Sequence, residues 1–200
     1  RGYQALGLSW DERNQTVAAE RAVICRANTA KFEVQDVRYL EDREDLFEKF
    51  NVAICLENIE HLFDDRKLIK DITRCLKPGG RLLLTAPYFY FKPPTDADNG
   101  PFKDQIEGIR HVRRGYTTAM LEELCADSNI VLEQVTYCSG FLSQKFTGLY
   151  SLLFLVHPLF AWSVVLPLRI LPLIFDKVIS KFFNWPSLSI CIEAYKPRFD

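Results

Sequence analysis

Between Phe50 and Pro87 the chain reads FNVAICLENIEHLFDDRKLIKDITRCLKPGGRLLLTAP, and its apolar positions change period twice. Asn51 to Leu56 is a short apolar run, the pattern of a strand buried on both faces of a parallel sheet. From Leu62 to Leu76 the residues Leu62, Leu68, Ile69, Ile72 and Leu76 recur at helical spacing, with Asp64, Asp65, Arg66, Lys67 and Lys70 between them. Lys77-Pro78-Gly79-Gly80 should stop that helix, because glycine supplies a left-handed cap and proline cannot continue the ladder. Arg81 to Ala86 is a second buried strand, closed by Pro87. Strand, helix, strand predicts one right-handed crossover of a parallel α/β sheet.

The flanks extend the pattern. Tyr3 to Trp10 predicts a strand, and Glu12 to Ala27 a helix capped by Asp11 with Val17, Ala18, Arg21, Ala22, Ile24 and Cys25 on its face. Lys31 to Gln35 is rich in strand formers, and an acidic helix is expected from Asp42 to Lys49. Residues 88–116 hold three prolines and little periodicity, a length typical of a lid or binding loop. Thr117 to Ser128 predicts a helix capped by Thr117, and Ile130 to Cys138 and Ser187 to Pro197 predict strands.

Between those last strands lies Phe146 to Leu168, 23 residues without a formal charge and long enough to span a membrane. Topology opposes a span. If the strands before and after it pair in one sheet, as the resemblance given below implies, both lie on one side, and a single crossing would separate them. Two crossings need about 40 apolar residues, and Arg169, Asp176, Lys177 and Lys181 interrupt the second half. Pro158, Pro167 and Pro172 break the stretch into short helices. An interfacial helical hairpin, a lid over an apolar substrate and a dimer interface remain. Trp162, Trp185, Lys177 and Lys181 suit a membrane surface.

Composition narrows the function classes. With 48% apolar and 26% charged residues the chain is globular. Its 25 basic and 26 acidic residues give no basic field, so nucleic acid is not an expected partner. Six scattered cysteines without a CxxC pair argue against a disulfide framework or a zinc site, no metal centre is expected, and a reducing cytoplasm fits. The first ten residues, without a long apolar region or a small-residue cleavage site, are not expected to act as a signal peptide.

The segment LENIEHLFD…LKPGGRLLLTAP resembles the fourth strand, following helix and fifth strand of class I methyltransferases, and LKPGGRLLLTAP is its most specific part. The resemblance covers about Tyr3 to Tyr137 and Ser187 to Pro197. It points to the type 11 and cyclopropane fatty acid synthase-like branch. It implies a Rossmann-like, mostly parallel α/β sheet with a terminal antiparallel hairpin and S-adenosylmethionine as cofactor. The first strand here resembles the family's second, so the Gly-rich loop is missing and a chain truncated at its N-terminus is expected. Residues 1–141 and 187–200 would form the methyltransferase domain, and 142–186 an apolar helical insert.

Methyl transfer from a sulfonium needs placement above all, with a base only where the acceptor must lose a proton. The resemblance implies that Ser9 and Asn14 bind ribose, with Trp10 and Asp11 beside them in SWDERN. It implies that Asp36 accepts from the adenine amino group, that Val37 lies along the ring, and that Leu56 and Glu57 meet the cofactor. The residues alone leave other readings open: Asp11 as a helix cap, Asn14 as a solvated side chain, Asp36 as a turn residue. His61, with Glu60, is the candidate base, its ordinary pKa being near neutral; the pair also reads as the polar start of a helix. Tyr88, His111, Arg113 and Tyr116 are candidate substrate contacts, the middle two within a basic cluster suited to an anionic group.

The expected function is methyl transfer to a small or lipid-linked acceptor, impaired in this chain, in the cytoplasm at the inner face of a bacterial membrane. The competing expectation is a non-catalytic, degenerate domain that binds a partner or membrane through residues 142–186; a homodimer through the same insert is a further expected contact.

Overall fold

Two sheets carry the fold in a computed structural model that describes residues 2–92, 102, 107 and 110–198. The expected loop from 88 to 116 therefore lies partly outside the described residues. The first sheet pairs β1 (Ala5–Ser9) in parallel with β2 (Ala30–Val34), and α1 (Glu12–Ile24) connects them. The second contains β3 (Phe50–Leu56), β4 (Leu76–Pro87), β5 (Val131–Cys138) and β6 (Ser189–Tyr195) in the order β3-β4-β6-β5. The strands β3 and β4 are parallel and joined by α2 (Asp65–Cys75), whereas β6 runs antiparallel to both β4 and β5. The expected Rossmann-like α/β architecture with a terminal antiparallel hairpin is present. Both β1 and β3 are edge strands of their sheets.

Alternation along β4 shows how the core forms. Leu82, Leu84 and Ala86 point inward with Ile190, Ile192 and Ala194 of β6, against Leu68 and Ile69 of α2 and Leu121 and Leu124 of α3 (Thr118–Asp127). A smaller cluster of Leu40, Leu46 and Cys75, with Leu6, Leu8, Phe47 and Phe50 against it, joins the two sheets. The other face of the large sheet is different. Val52, Ile54 and Leu56 on β3 are exposed, Ile54 by 66%, which corrects the expectation of a strand buried on both faces. Among the described residues α2 and α3 cover one face, and no helix covers the other.

Several element boundaries are also corrected. The acidic segment 42–49 is not an α-helix: two 3-10 turns, Val37–Asp42 and Glu44–Leu46, replace it. Its carboxylates leave no apolar stripe to bury, and Leu40 and Leu46 anchor one turn each. Leu62 is extended, and α2 starts only at Asp65, where the carboxylate of Asp64 accepts from Lys67 N at 2.9 Å. That helix ends because Leu76 turns extended, with Lys196 Nζ donating to its carbonyl at 2.8 Å. Gly79, at φ +79°, lies further on, within the turn that opens β4. On α1, Arg21, Ile24 and Cys25 face solvent, since a two-stranded sheet offers little to cover. Its buried residue is Gln15, whose amide donates to the carbonyls of Gly7 and Glu33 and so ties β1 to β2.

The apolar insert forms three helices, α4 (Phe141–Phe154), α5 (Pro158–Leu168) and α6 (Ile170–Phe182), with a 63° bend between the last two. No single described helix is long and apolar enough to cross a membrane. Leu188 N donates to Ser139 O at 2.9 Å, so both ends of the insert leave from one place, as the strand pairing requires. Asp176, an interruption in the sequence pattern, has a structural use. Its carboxylate accepts from Gly140 N at 2.9 Å and Leu142 N at 2.8 Å, capping α4, whose own N-cap glycine has no side chain to do so.

Candidate functional site

The strands β1, β2 and β3 end beside one another, and the segments that follow them line a cavity of about 180 Å³. Trp10 follows β1, Asp36, Val37 and Arg38 follow β2, and Asn58, His61 and Leu62 follow β3; Glu107 completes the wall. Ligands of open α/β sheets sit at this carboxyl edge. The cavity is smaller than the roughly 300–1,000 Å³ of a site for a drug-sized molecule, so it suits one end of a larger ligand.

Local hydrogen bonding sets its floor. Asp36 starts the 3-10 turn by accepting from Arg38 N at 3.0 Å, and its carboxylate also receives the Arg38 guanidinium, with Nε 3.0 Å from each oxygen. The Arg38 hydrogen bonds hold the Asp36 carboxyl below its ordinary value, against the opposing effect of burial. Arg38 reaches Glu107 at 3.4 Å, and Glu107 accepts from Phe63 N at 2.8 Å.

At the exit of β3, Glu57 adopts φ +47°, and its N–H donates to Thr85 O at 2.9 Å. The chain then makes one 3-10 turn, Ile59–His61. Ile59 is fully buried, and this anchor carries Glu60 inside with it, only 1% exposed. Among the described residues neither carboxylate oxygen of Glu60 has a hydrogen-bond partner, and Nδ1 of His61 is likewise buried and unpartnered. Burial, reinforced by the charge of Glu57, pushes the Glu60 carboxyl up to about 7; its own nearby main-chain amide dipole and the charge of Arg113 oppose the rise. The Nε2 atoms of His61 and His111 each lie 3.9 Å from Glu60 Oε1, and the two rings meet edge-on with centroids 4.7 Å apart.

His111 is brought there by its neighbours. Val112 N donates to Glu60 O at 2.8 Å. Arg113 pairs with Asp65 and donates to the carbonyls of Leu62 at 2.6 Å and Phe63 at 3.0 Å. Tyr116 is buried and its hydroxyl donates to Asp65 at 2.7 Å, which together with burial raises the phenol pKa. Arg113 and Tyr116, expected at the substrate, are thus engaged in holding the 110–116 segment against the Ile59–His61 turn.

The remaining candidates divide. Trp10, Asp36, Val37 and His61 come together at the cavity. Ser9 does not line it; its hydroxyl accepts from Asp11 N at 3.2 Å, and Asp11 caps α1 by accepting from Arg13 N at 2.9 Å. Asn14 is exposed on α1. Leu56 turns to the uncovered sheet face, beside Thr85, Thr136 and Cys191. Tyr88 packs edge-on against Tyr90 and Tyr137, with centroids 5.5 and 5.0 Å away. Arg38, Asn58 and Glu107 were not singled out by the sequence. Arg38 was legible as the partner two residues beyond Asp36, whereas Glu107 carried no local signal.

A family model described as a methyltransferase domain matches residues 4–135. This chain belongs to that family. The class I methyltransferases use S-adenosylmethionine, and the Trp10–Asp36–Val37 cavity fits its adenine end: an aromatic wall, a carboxylate acceptor and an apolar side chain. No curated protein matches the sequence. Among solved structures this methyltransferase domain is similar to the [4+2]-cyclase SpnF, at 16% identity and TM-score 0.63 over 100% of this chain and 68% of that one. It is also similar to a protein of Galdieria sulphuraria described as a sarcosine dimethylglycine methyltransferase, at 14% identity and TM-score 0.65 over 98% and 71%. A third is Haemonchus contortus phosphoethanolamine N-methyltransferase 2 in complex with S-adenosyl-L-methionine, at 18% identity and TM-score 0.60 over 98% of this chain and 44% of that one. At these identities the likeness is one of fold.

Proposed function

We propose that this domain binds the adenosine end of S-adenosylmethionine between Trp10, Asp36 and Val37 and transfers its methyl group to an acceptor seated against His61. The convergence of these four residues on one cavity at the strand ends carries the reading. Adenine would stack along Trp10 and Val37 and donate its amino hydrogen to Asp36. His61 then faces the reacting end of the ligand, where an imidazole can take a proton from the acceptor. The Haemonchus contortus enzyme was also solved with phosphomonomethylethanolamine and S-adenosylhomocysteine, which supports a small polar acceptor for this fold. The free edges of β1 and β3 are the places where one further parallel strand would complete the sheet and bring a Gly-rich loop to the methionine end.

Calorimetric titration with S-adenosylhomocysteine tests the reading on the chain described here and on the same chain preceded by such a strand. Binding by the second that is lost in Trp10→Ala or Asp36→Ala supports it. A folded protein of both kinds that takes up no ligand sinks it.

A second observation favours an amphiphilic acceptor. Leu155, Val156, Leu159, Leu173, Val178 and Phe182 of the insert are each more than two-thirds exposed, far more apolar surface than scattered single residues explain. With Lys177 and Lys181 on the same insert, this surface suits the interface of an anionic bilayer, where a lipid-linked acceptor would be held. The same surface would serve a non-catalytic membrane-binding domain. Sedimentation with anionic vesicles, repeated with Leu173→Ser plus Phe182→Ser, tests the contact; equal sedimentation of both proteins would exclude it.

A further inference from the structure

Buried Glu60 and the partly exposed His61 and His111 form a trio whose ligand-type atoms all lie within 4.8 Å of one another. From this geometry we infer that the trio is a binding site for one divalent transition-metal ion, against the sequence expectation of no metal centre. Two imidazoles and one carboxylate, from residues 60, 61 and 111, form the first coordination shell.

Three observations converge. The Glu60 carboxylate is 1% exposed, and among the described residues neither of its oxygens is hydrogen-bonded. An ionised carboxylate buried in this way is strongly disfavoured unless an opposite charge meets it. Among the described residues no side chain is seen to donate to Glu60, whereas a cation between it and the imidazoles supplies that charge. Second, both Nε2 atoms stand 3.9 Å from the same oxygen, Glu60 Oε1. An ion bonded at about 2.0–2.2 Å to nitrogen and oxygen needs its ligand atoms roughly 3 Å apart, so the trio closes on it with side-chain shifts of about an ångström. Third, the segments are fastened independently of any ion. The Val112–Glu60 main-chain bond and the Arg113 and Tyr116 bonds to Asp65 hold the 110–116 segment against the Ile59–His61 turn.

The donor set selects the class of ion. Imidazole nitrogen favours zinc, iron, cobalt or nickel over magnesium and calcium, which prefer all-oxygen shells. Two histidines and one carboxylate also leave coordination positions open, the arrangement of reactive rather than structural sites. His61 belongs both to the trio and to the cavity wall, so a bound ion borders the place where an acceptor would sit. Its role there rests on the methyl-transfer reading, although the site itself does not. The ion's charge lowers the pKa of an acceptor hydroxyl beside it. The proton leaves to solvent, the oxygen lone pair attacks the methyl carbon, and the carbon–sulfur bond breaks with its electrons staying on sulfur as S-adenosylhomocysteine. His61 is then a ligand and not a free base.

The test uses metal alone, without cofactor or acceptor. Co²⁺ titration followed by visible absorption, with Zn²⁺ and Mg²⁺ as competitors, should show one ion per chain, displaced by Zn²⁺ and not by millimolar Mg²⁺. Changing outer-shell partners of a metal already costs about 10–100-fold in affinity, so Glu60→Gln and His111→Ala should each lose at least about 100-fold. His157→Ala, which removes the third histidine of the chain, should change nothing. Folding is checked in the same proteins by thermal melting: Zn²⁺ should raise the midpoint of the parent chain and leave that of Glu60→Gln unmoved. No binding by the folded parent chain, binding unaffected by Glu60→Gln and His111→Ala, or displacement of Co²⁺ by Mg²⁺ would each overturn the assignment. None of these results depends on whether the protein transfers a methyl group.

Discussion

The hydroxyl of Tyr116 donates to Asp65 at 2.7 Å, and this buried bond ties the segment after the long loop to the first turn of α2. Asp65 also receives the Arg113 guanidinium, so one carboxylate anchors two residues of the 110–116 segment. Tyr116→Phe removes one of its two partners at a buried position. A loss of about 1–3 kcal/mol is expected, read as a fall of several degrees in the melting midpoint. His111 depends on the same segment, so the affinity for Co²⁺ should fall as well. An unchanged midpoint would show that Arg113 alone suffices to hold Asp65.

Asp36→Ala removes the acceptor proposed for the adenine amino group and the partner of Arg38. Hydrogen bonds to charged groups contribute about 1.5–3 kcal/mol, so the dissociation constant for S-adenosylhomocysteine should rise at least tenfold. Asn14→Ala, on the exposed side of α1, should leave it unchanged. An equal loss in both variants would return Asn14 to the ribose and move the site toward α1.

Acid should loosen the floor of the cavity. In the folded chain the Asp36 carboxyl titrates below its ordinary value of 3.8, held there by Arg38. Because the folded-state pKa is depressed, the stabilisation is complete above that ordinary value and is lost as the pH falls through the folded-state one. Denaturant midpoints measured between pH 7 and pH 3 should therefore decline less in Arg38→Gln than in the parent chain. Parallel curves would show that the pair, which is partly exposed, contributes nothing measurable.

Gly140 marks the point where the insert closes on itself. A Cβ placed there would clash with Ser180 Oγ and come within 2.8 Å of Asp176 Oδ1, the two side chains that hold the start of α4. Gly140→Ala should cost about 1–3 kcal/mol, the range for overpacking, and should speed proteolysis within residues 141–182. Adding Ser180→Ala removes the closer contact and should restore part of the loss. If Gly140→Ala is as resistant as the parent chain, the cap is not what closes the insert.

Much of the scaffold was legible because local pattern and tertiary packing agree. Helical spacing from Leu68 to Ile72, the caps at Asp11 and Thr117, and the paired strands Val131–Cys138 and Ser189–Tyr195 all appear where periodicity and capping chemistry place them. The meeting of Asp36 and His61 at one cavity was legible because each follows a strand at the edge where such sheets bind ligands. The bonds of Arg113 and Tyr116 to Asp65 were not legible for the opposite reason: a basic residue and a phenol look alike in sequence whether they face a substrate or bond to a carboxylate.

Sequence by itself determined the order of strands and helices, the family, and the return of the apolar insert to the sheet it leaves, since each follows from short-range periodicity, a compact motif or the reach of the chain. Tertiary structure alone decided which of those residues meet. Glu60 and His111 stand 51 positions apart, and no spacing rule links them. A main-chain bond from Val112 and two side chains on Asp65 bring them together, because burying Ile59 and Tyr116 draws their neighbours into one place.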